Sequence, residues 1–202
     1  MYWLVLVSGF LVALYALAYI VVGPGMYPDQ LFDSFVARPW GIYPHALFGS
    51  VAMLTGALQF RRSLLVNRPA WHRRAGVTYV VAATVTGAVG VYMAIYSFGG
   101  WLTHVGFGLL GLALIGTTLQ AFLSIKRWDI AAHRAWMLRS YALLFAAVML
   151  RIELPLLAMA LGDFTPAYQA VAWISWVPNL AWAEWWIART REAEAPFIAS
   201  YS

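Results

Sequence analysis

Long apolar runs separated by short polar stretches make up most of this chain. Six such runs stand out, at about 2–22, 44–60, 71–96, 101–125, 131–161 and 166–188. Each approaches or exceeds the ~20 residues an α-helix needs to cross the hydrocarbon core of a bilayer. A helix satisfies its backbone hydrogen bonds internally, which lipid demands. The pattern therefore predicts an all-α polytopic membrane protein with six transmembrane helices. The first run has no basic segment before it and is longer than the core of a signal peptide, so it is expected to be retained. Gly23, Pro24 and Gly25 end it. Residues 29–36 are expected to form a short amphipathic helix at the interface, with Leu31, Phe32 and Phe35 dipping inward. Trp40 and Tyr43 fit an aromatic belt. The fifth run exceeds one bilayer and is expected to be interrupted at Pro155. The stretch 189–202 is polar.

Composition strengthens this pattern. The chain has 202 residues, of which 63% are hydrophobic and 10% charged, with mean hydropathy +0.72. So few charges cannot cover a water-facing surface of this size. Six spans and their loops fill nearly the whole length, so 1–202 reads as one integral membrane domain. Cysteine is absent, which excludes disulfides, iron–sulfur clusters and covalently attached c-type haem. The net charge of +5 is better read loop by loop than as a nucleic-acid signal. Arg61, Arg62, Arg68, Arg73 and Arg74 follow the second run, and Lys126, Arg127 and Arg134 follow the fourth. The opposite loops set only Arg38 against Asp29, Asp33 and Asp163. The basic loops are expected in the cytoplasm, and with six spans both termini lie there too.

Runs two and three repeat as runs four and five. PHALFGSVAMLTGALQF then WHRRAGVTYV parallels THVGFGLLGLALIGTTLQAF then AHRAWMLRSYA. Each unit has His, Phe three residues on and Gly four residues on, then a glutamine near a phenylalanine. His-Arg opens the next helix, 27 and 29 residues after the first histidine. Parallel repeats imply a pseudo-twofold axis along the membrane normal. Such an axis makes helices 2–5 a four-helix core with run two diagonal to run four and run three diagonal to run five. Runs one and six pack outside.

Each core helix starts with a histidine. His45 and His104 fall on one level, expected near the outer face. His72 and His133 fall on another, near the cytoplasmic face. Two imidazoles facing across a bundle are the usual axial ligands of b-type haem iron. The pattern therefore points to as many as two haems b, with His45 and His104 on the iron of one and His72 and His133 on the other. Gly49, Gly76 and Gly108 lie four residues after a histidine on the same helical face, where a flat macrocycle needs small residues. Gly56 and Gly111 extend two of those faces, and Met137 stands where the fifth run has no glycine. Arg73, Arg74, Arg134 and Arg139 are candidates to pair inner propionates, and Arg151 an outer one.

Blander readings accompany each of these. A lone interfacial histidine beside arginine also serves as an anchor, and glycine also serves close helix packing. Arg151 and Glu153 fit interfacial pairing with Asp163 or a headgroup, or else a proton or quinol site at the outer face. Glu184 is expected to snorkel. Trp173, Trp176, Trp182, Trp185 and Trp186 fit interface anchoring.

The blocks LTGALQF, RPAWHRRAGVTYV and AAHRAWMLRSYALLFAAVMLR resemble the bacterial predicted-membrane-protein family called domain of unknown function 2306. That resemblance implies a multi-span membrane protein with no assigned activity. The histidine layout also resembles the cytochrome b561 superfamily, whose second and fourth helices hold one haem and whose third and fifth hold the other. It implies the same pairs, His45 with His104 and His72 with His133. The expected function is transmembrane electron transfer by a b-type dihaem protein of the bacterial inner membrane. Its partner would be a quinol, a redox protein or a larger membrane complex. A non-enzymatic accessory or scaffold subunit is the alternative. A transporter for protons or small molecules is a third, which would use Thr55, Thr84, Thr86, Thr117 and Thr118 near midplane.

Overall fold

A computed structural model describes residues 2–199, with side chains described for residues 3–190. Its elements are α1 (Tyr2–Val21), α2 (Phe32–Val36), α3 (Pro39–Gln59), α4 (Arg62–Asn67), α5 (Pro69–Ile95), α6 (Trp101–Lys126), α7 (Ile130–Leu144), α8 (Ala146–Leu161), α9 (Phe164–Ile174) and α10 (Val177–Ala199). No strand occurs among the described residues. Four stretches are long and apolar enough to cross a membrane: Trp3–Val21, Pro69–Ile95, Trp101–Lys126 and Ile130–Leu161. The polar stretch 189–202 continues α10 as far as Ala199, and its last three residues lie outside the described ones.

Local chemistry sets the helix ends. Proline opens α3 and α5, where its missing N–H would have no helical partner anyway. Asp129 caps α7 by accepting the Ala132 N–H at 2.9 Å, and Asp163 caps α9 through Thr165 N–H at 2.8 Å. Gly162 closes α8 at φ +66°, a left-handed conformation that favours glycine. The interfacial segment expected at 29–36 is a short 3-10 turn, Asp29–Leu31, leading into α2.

Packing arranges these helices in a ring. α3 packs on α5, α5 on α6, α6 on α7, and α7 returns to α3. That order sets α3 diagonal to α6 and α5 diagonal to α7. α1 lies on α3, α10 on α7, and α9 on both α8 and α6. The central core joins Ala52, Met53, Tyr79, Ala83, Leu114 and Leu143.

Two expectations about continuity are corrected. The fifth run breaks at Phe145, and Pro155 sits within α8. Residues Ser140–Leu144 are locked in the core, with Leu143 1% exposed. Beyond Phe145 the packing partners change: α7 belongs to α6, whereas α8 packs on α9 and touches α1. The interruption at Phe145 thus falls where one set of neighbours gives way to the other. Proline survives in α8 because neighbours in a membrane bundle can accommodate the carbonyl it leaves free. The sixth run is likewise split into α9 and α10 at Ser175 and Trp176.

Glu184 is an ion-pair partner rather than a solitary snorkelling group. Arg139 Nε donates to Glu184 Oε1 at 2.5 Å and Nη2 to Oε2 at 2.7 Å, while its guanidinium lies 4.4 Å from the Trp136 ring centroid. The pair ties α7 to α10. Glu184 is half exposed, so its contribution is about 1 kcal/mol or less. Glu184→Gln should therefore lower the thermal midpoint less than Arg139→Ala, which also removes the contact with Trp136. Equal losses would show that the ion pair alone holds the two helices.

Candidate functional site

The change of partners at Phe145 leaves space between α8 and the ring. A cavity of about 740 Å³ lies there, bounded by α1, α3, α5, α6 and α8. Its walls are mainly apolar, with Val12, Ala16, Met93, Leu150 and Leu154 among them. Its polar side chains include His45, Arg38 and Arg151.

Each of the three is held differently. His45 projects from α3 with the Thr86 backbone beside its ring, and its Nδ1 is buried without a hydrogen-bond partner. Its ring lies near Gly90, where an added Cβ would stand 3.5 Å from His45 Cε1. Arg151 projects from α8. Its Nη1 donates to the Ala147 carbonyl at 2.7 Å, and its guanidinium sits 5.3 Å from the Tyr15 ring centroid. Its Nε is buried and has no partner. Arg38 precedes α3, donates to the Ser34 carbonyl at 3.2 Å and stacks 4.1 Å from the Tyr96 ring centroid. Asp163, an expected partner for Arg151 or Glu153, caps α9 instead.

The other histidines are placed as follows. His104 does not line the cavity; its Nε2 lies 2.9 Å from the carbonyl of Ser97, which does. His133 holds the Ala121 carbonyl through Nδ1 at 2.9 Å. His72 Nδ1 is buried and without a partner. His72 and His133 come close enough for one ring's charge to act on the other. His45 and His72 thus each keep an unpartnered nitrogen, whereas His104 and His133 lie against backbone carbonyls. His45 beside Gly90 and His104 beside Ser97 stand about 10 Å apart along the α5 axis.

The candidate glycines divide into open and crowded positions. A Cβ on Gly49 would meet Thr86 at 3.7 Å, and one on Gly108 would meet Ala94 at 3.9 Å. Gly76 faces Gln59 Oε1 at 3.1 Å. Gly56 faces the rings of Tyr79 and Tyr141 at 2.6 and 2.7 Å, and Gly111 faces the backbone of α5. Arg73 and Arg134 are exposed, and Arg74 lies 5.7 Å over Trp71. Arg139 is committed to Glu184.

The family described as predicted membrane protein, domain of unknown function 2306 (DUF2306), matches residues 42–187. This chain belongs to that family. The DUF2306 match runs from within α3 into α10, so it includes all four histidines, Arg151 and the whole ring. The wall supplied by α1 lies outside it. No curated protein and no solved structure matches the chain.

Whether the DUF2306 histidines suit haem depends on their donors and their space. Among the described residues no three His, Cys, Asp or Glu converge as a bare metal would need. Two imidazoles suffice only where a macrocycle fills the remaining positions. A metal-bound imidazole typically gives its other N–H to a carbonyl or carboxylate, as His104 and His133 are positioned to do. Of the first pair, His45 lines the apolar chamber together with two guanidiniums suited to propionates, while His104 stands outside its lining, against Ser97. His72 and His133 do not line that chamber, so the second level contributes a pair of imidazoles.

Sequence reasoning missed one buried polar cluster. Tyr79 Oη lies 2.6 Å from Ser140 Oγ, and Thr118 Oγ1 lies 2.7 Å from the same oxygen. All three residues are fully buried, on α5, α7 and α6. Tyr79 and Ser140 each stand seven residues after a repeat histidine, at equivalent positions of the two units. That equivalence was the available signal, and Thr118 was read only as a midplane polar group.

Proposed function

We propose that this protein carries electrons across a bacterial inner membrane on b-type haem, with His45 and His104 as ligands at one level and His72 and His133 at the other. The supporting observation is the state of the imidazoles, one orphaned nitrogen and one ring against a backbone carbonyl in each pair. Bound haem would supply a one-electron couple. The chain's own residues would do the rest. Arg38 and Arg151 neutralise propionates, the apolar walls exclude water, and Gly49 and Gly108 leave room beside the ligands. In this reading α3 and the α9–α10 pair also cross the bilayer. Six spans then place both termini in the cytoplasm, in keeping with the arginine-rich loops. A quinol, a redox protein or a larger membrane complex exchanges electrons with it.

Purified full-length protein should show the reduced-minus-oxidised bands of low-spin bis-histidine haem. Substitution of either member of a pair by alanine should remove that pair's share of the signal and leave the other's. A folded, colourless, iron-free sample would sink this reading.

A further inference from the structure

We propose that the cavity seats the carboxylate of an otherwise apolar ligand, with Arg151 as the anion's partner and His45 as a second polar contact. Arg151 lies on a helix of an apolar membrane stretch, where an unpaired cation is costly. The one ion pair among the described residues joins Arg139 to Glu184, so no described carboxylate of the chain neutralises Arg151. Its Nη1 is spent on Ala147 and its face on Tyr15. What remains is the edge carrying the buried, unpartnered Nε. That edge presents parallel N–H groups, the fork that a carboxylate accepts in bidentate fashion. A neutral ligand would leave the charge uncompensated.

His45 supplies an independent sign that something polar is missing. Its Nδ1 is also buried without a partner in the same chamber. The two residues line it from α3 and α8, and a buried polar atom ordinarily has a hydrogen-bond partner. Beyond them the walls are mainly apolar, though Arg38 also lines the chamber, and about 740 Å³ leaves room for a chain or ring system. Both a haem propionate and a membrane fatty acid offer this chemistry. The inference stands without the haem reading: a colourless protein that holds oleate would sink that one and support this one.

The test uses the full chain in phosphatidylcholine nanodiscs free of fatty acid, titrated with oleate, with oleyl alcohol as its neutral counterpart, and with haemin. Wild type should bind oleate or haemin saturably and prefer oleate to oleyl alcohol wherever oleate binds. Arg151→Gln should weaken carboxylate binding by about tenfold or more, the scale of a lost charge-assisted hydrogen bond. Arg151→Lys, which keeps the charge and guards against misfolding, should fall between. Gly49→Leu, whose Cβ has ordinary room beside Thr86, should narrow the chamber and weaken binding without touching charge. Oleate bound and haemin refused identifies a membrane fatty acid, and the converse identifies the porphyrin. Neither probe bound, oleate and its alcohol bound alike, or Gly49→Leu binding as wild type does would each overturn the proposal.

Discussion

Gly111→Val is expected to be the most damaging single substitution in the ring, costing about 3 kcal/mol or more as overpacking that cannot relax. Gly87 on α5 and Gly111 on α6 face one another where the two helices cross. A Cβ on Gly87 would lie 2.9 Å from the Gly111 carbonyl oxygen, and one on Gly111 would lie 2.8 Å from the Gly87 carbonyl oxygen. Val91 closes in too, with its backbone nitrogen 3.2 Å from the same point. These neighbours are backbone, so no rotamer change can make room. Lipid gives packed helices no hydrophobic incentive to associate, so van der Waals contact across such glycines carries much of the association. The substitution should push α5 from α6 and lower the thermal midpoint of the purified protein sharply. Gly116→Ala on the same helix is the control. Nothing lies within 4 Å of its added Cβ, and helix propensity favours alanine by about 1 kcal/mol. If both variants melt like wild type, the crossing is not as close as described.

Ser140→Ala is expected to cost about 2 kcal/mol by stranding two hydroxyls at once. Ser140 is the centre of the cluster, and the hydroxyls of both Tyr79 and Thr118 hydrogen-bond to it. In lipid no water replaces a lost partner, although interhelical hydrogen bonds measured in membranes average only about 0.6 kcal/mol. The decisive measurement is therefore a double-mutant cycle. Tyr79→Phe with Ser140→Ala should cost less than the sum of the two single changes, because both remove the same bond. Strict additivity of the melting shifts would mean that the two oxygens do not share a proton. The cluster sits two helical turns from His72 and His133, about 10 Å along their helices. It therefore joins three ring helices between the second-level histidines and the cavity, whose lining includes Leu114 and Leu143.

Much of the helical layout was legible because lipid imposes a length and a composition on anything that crosses it. The run at 71–96 became Pro69–Ile95, and that at 101–125 became Trp101–Lys126. The repeat anticipated the ring's diagonals, since helices related by one axis must alternate around it. Local rules failed at the break in the fifth run. Pro155 is the obvious local breaker, yet the interruption falls at Phe145, where core-locked Ser140–Leu144 gives way to residues that pack on α9. Spacing also named Gly111 as a cradle position, because it could not reveal that Gly87 faces it.

By itself, then, the sequence determined that this is a helical membrane protein and where its long helices run. Those are consequences of hydrocarbon thickness and of helical periodicity, which act on each segment separately. The tertiary structure alone decided that α8 leaves the ring and opens a chamber, and that His45 and Arg151 share it. It alone brought Tyr79, Ser140 and Thr118 together. Such juxtapositions depend on which helix faces which, and that is set by close packing between segments far apart in the chain.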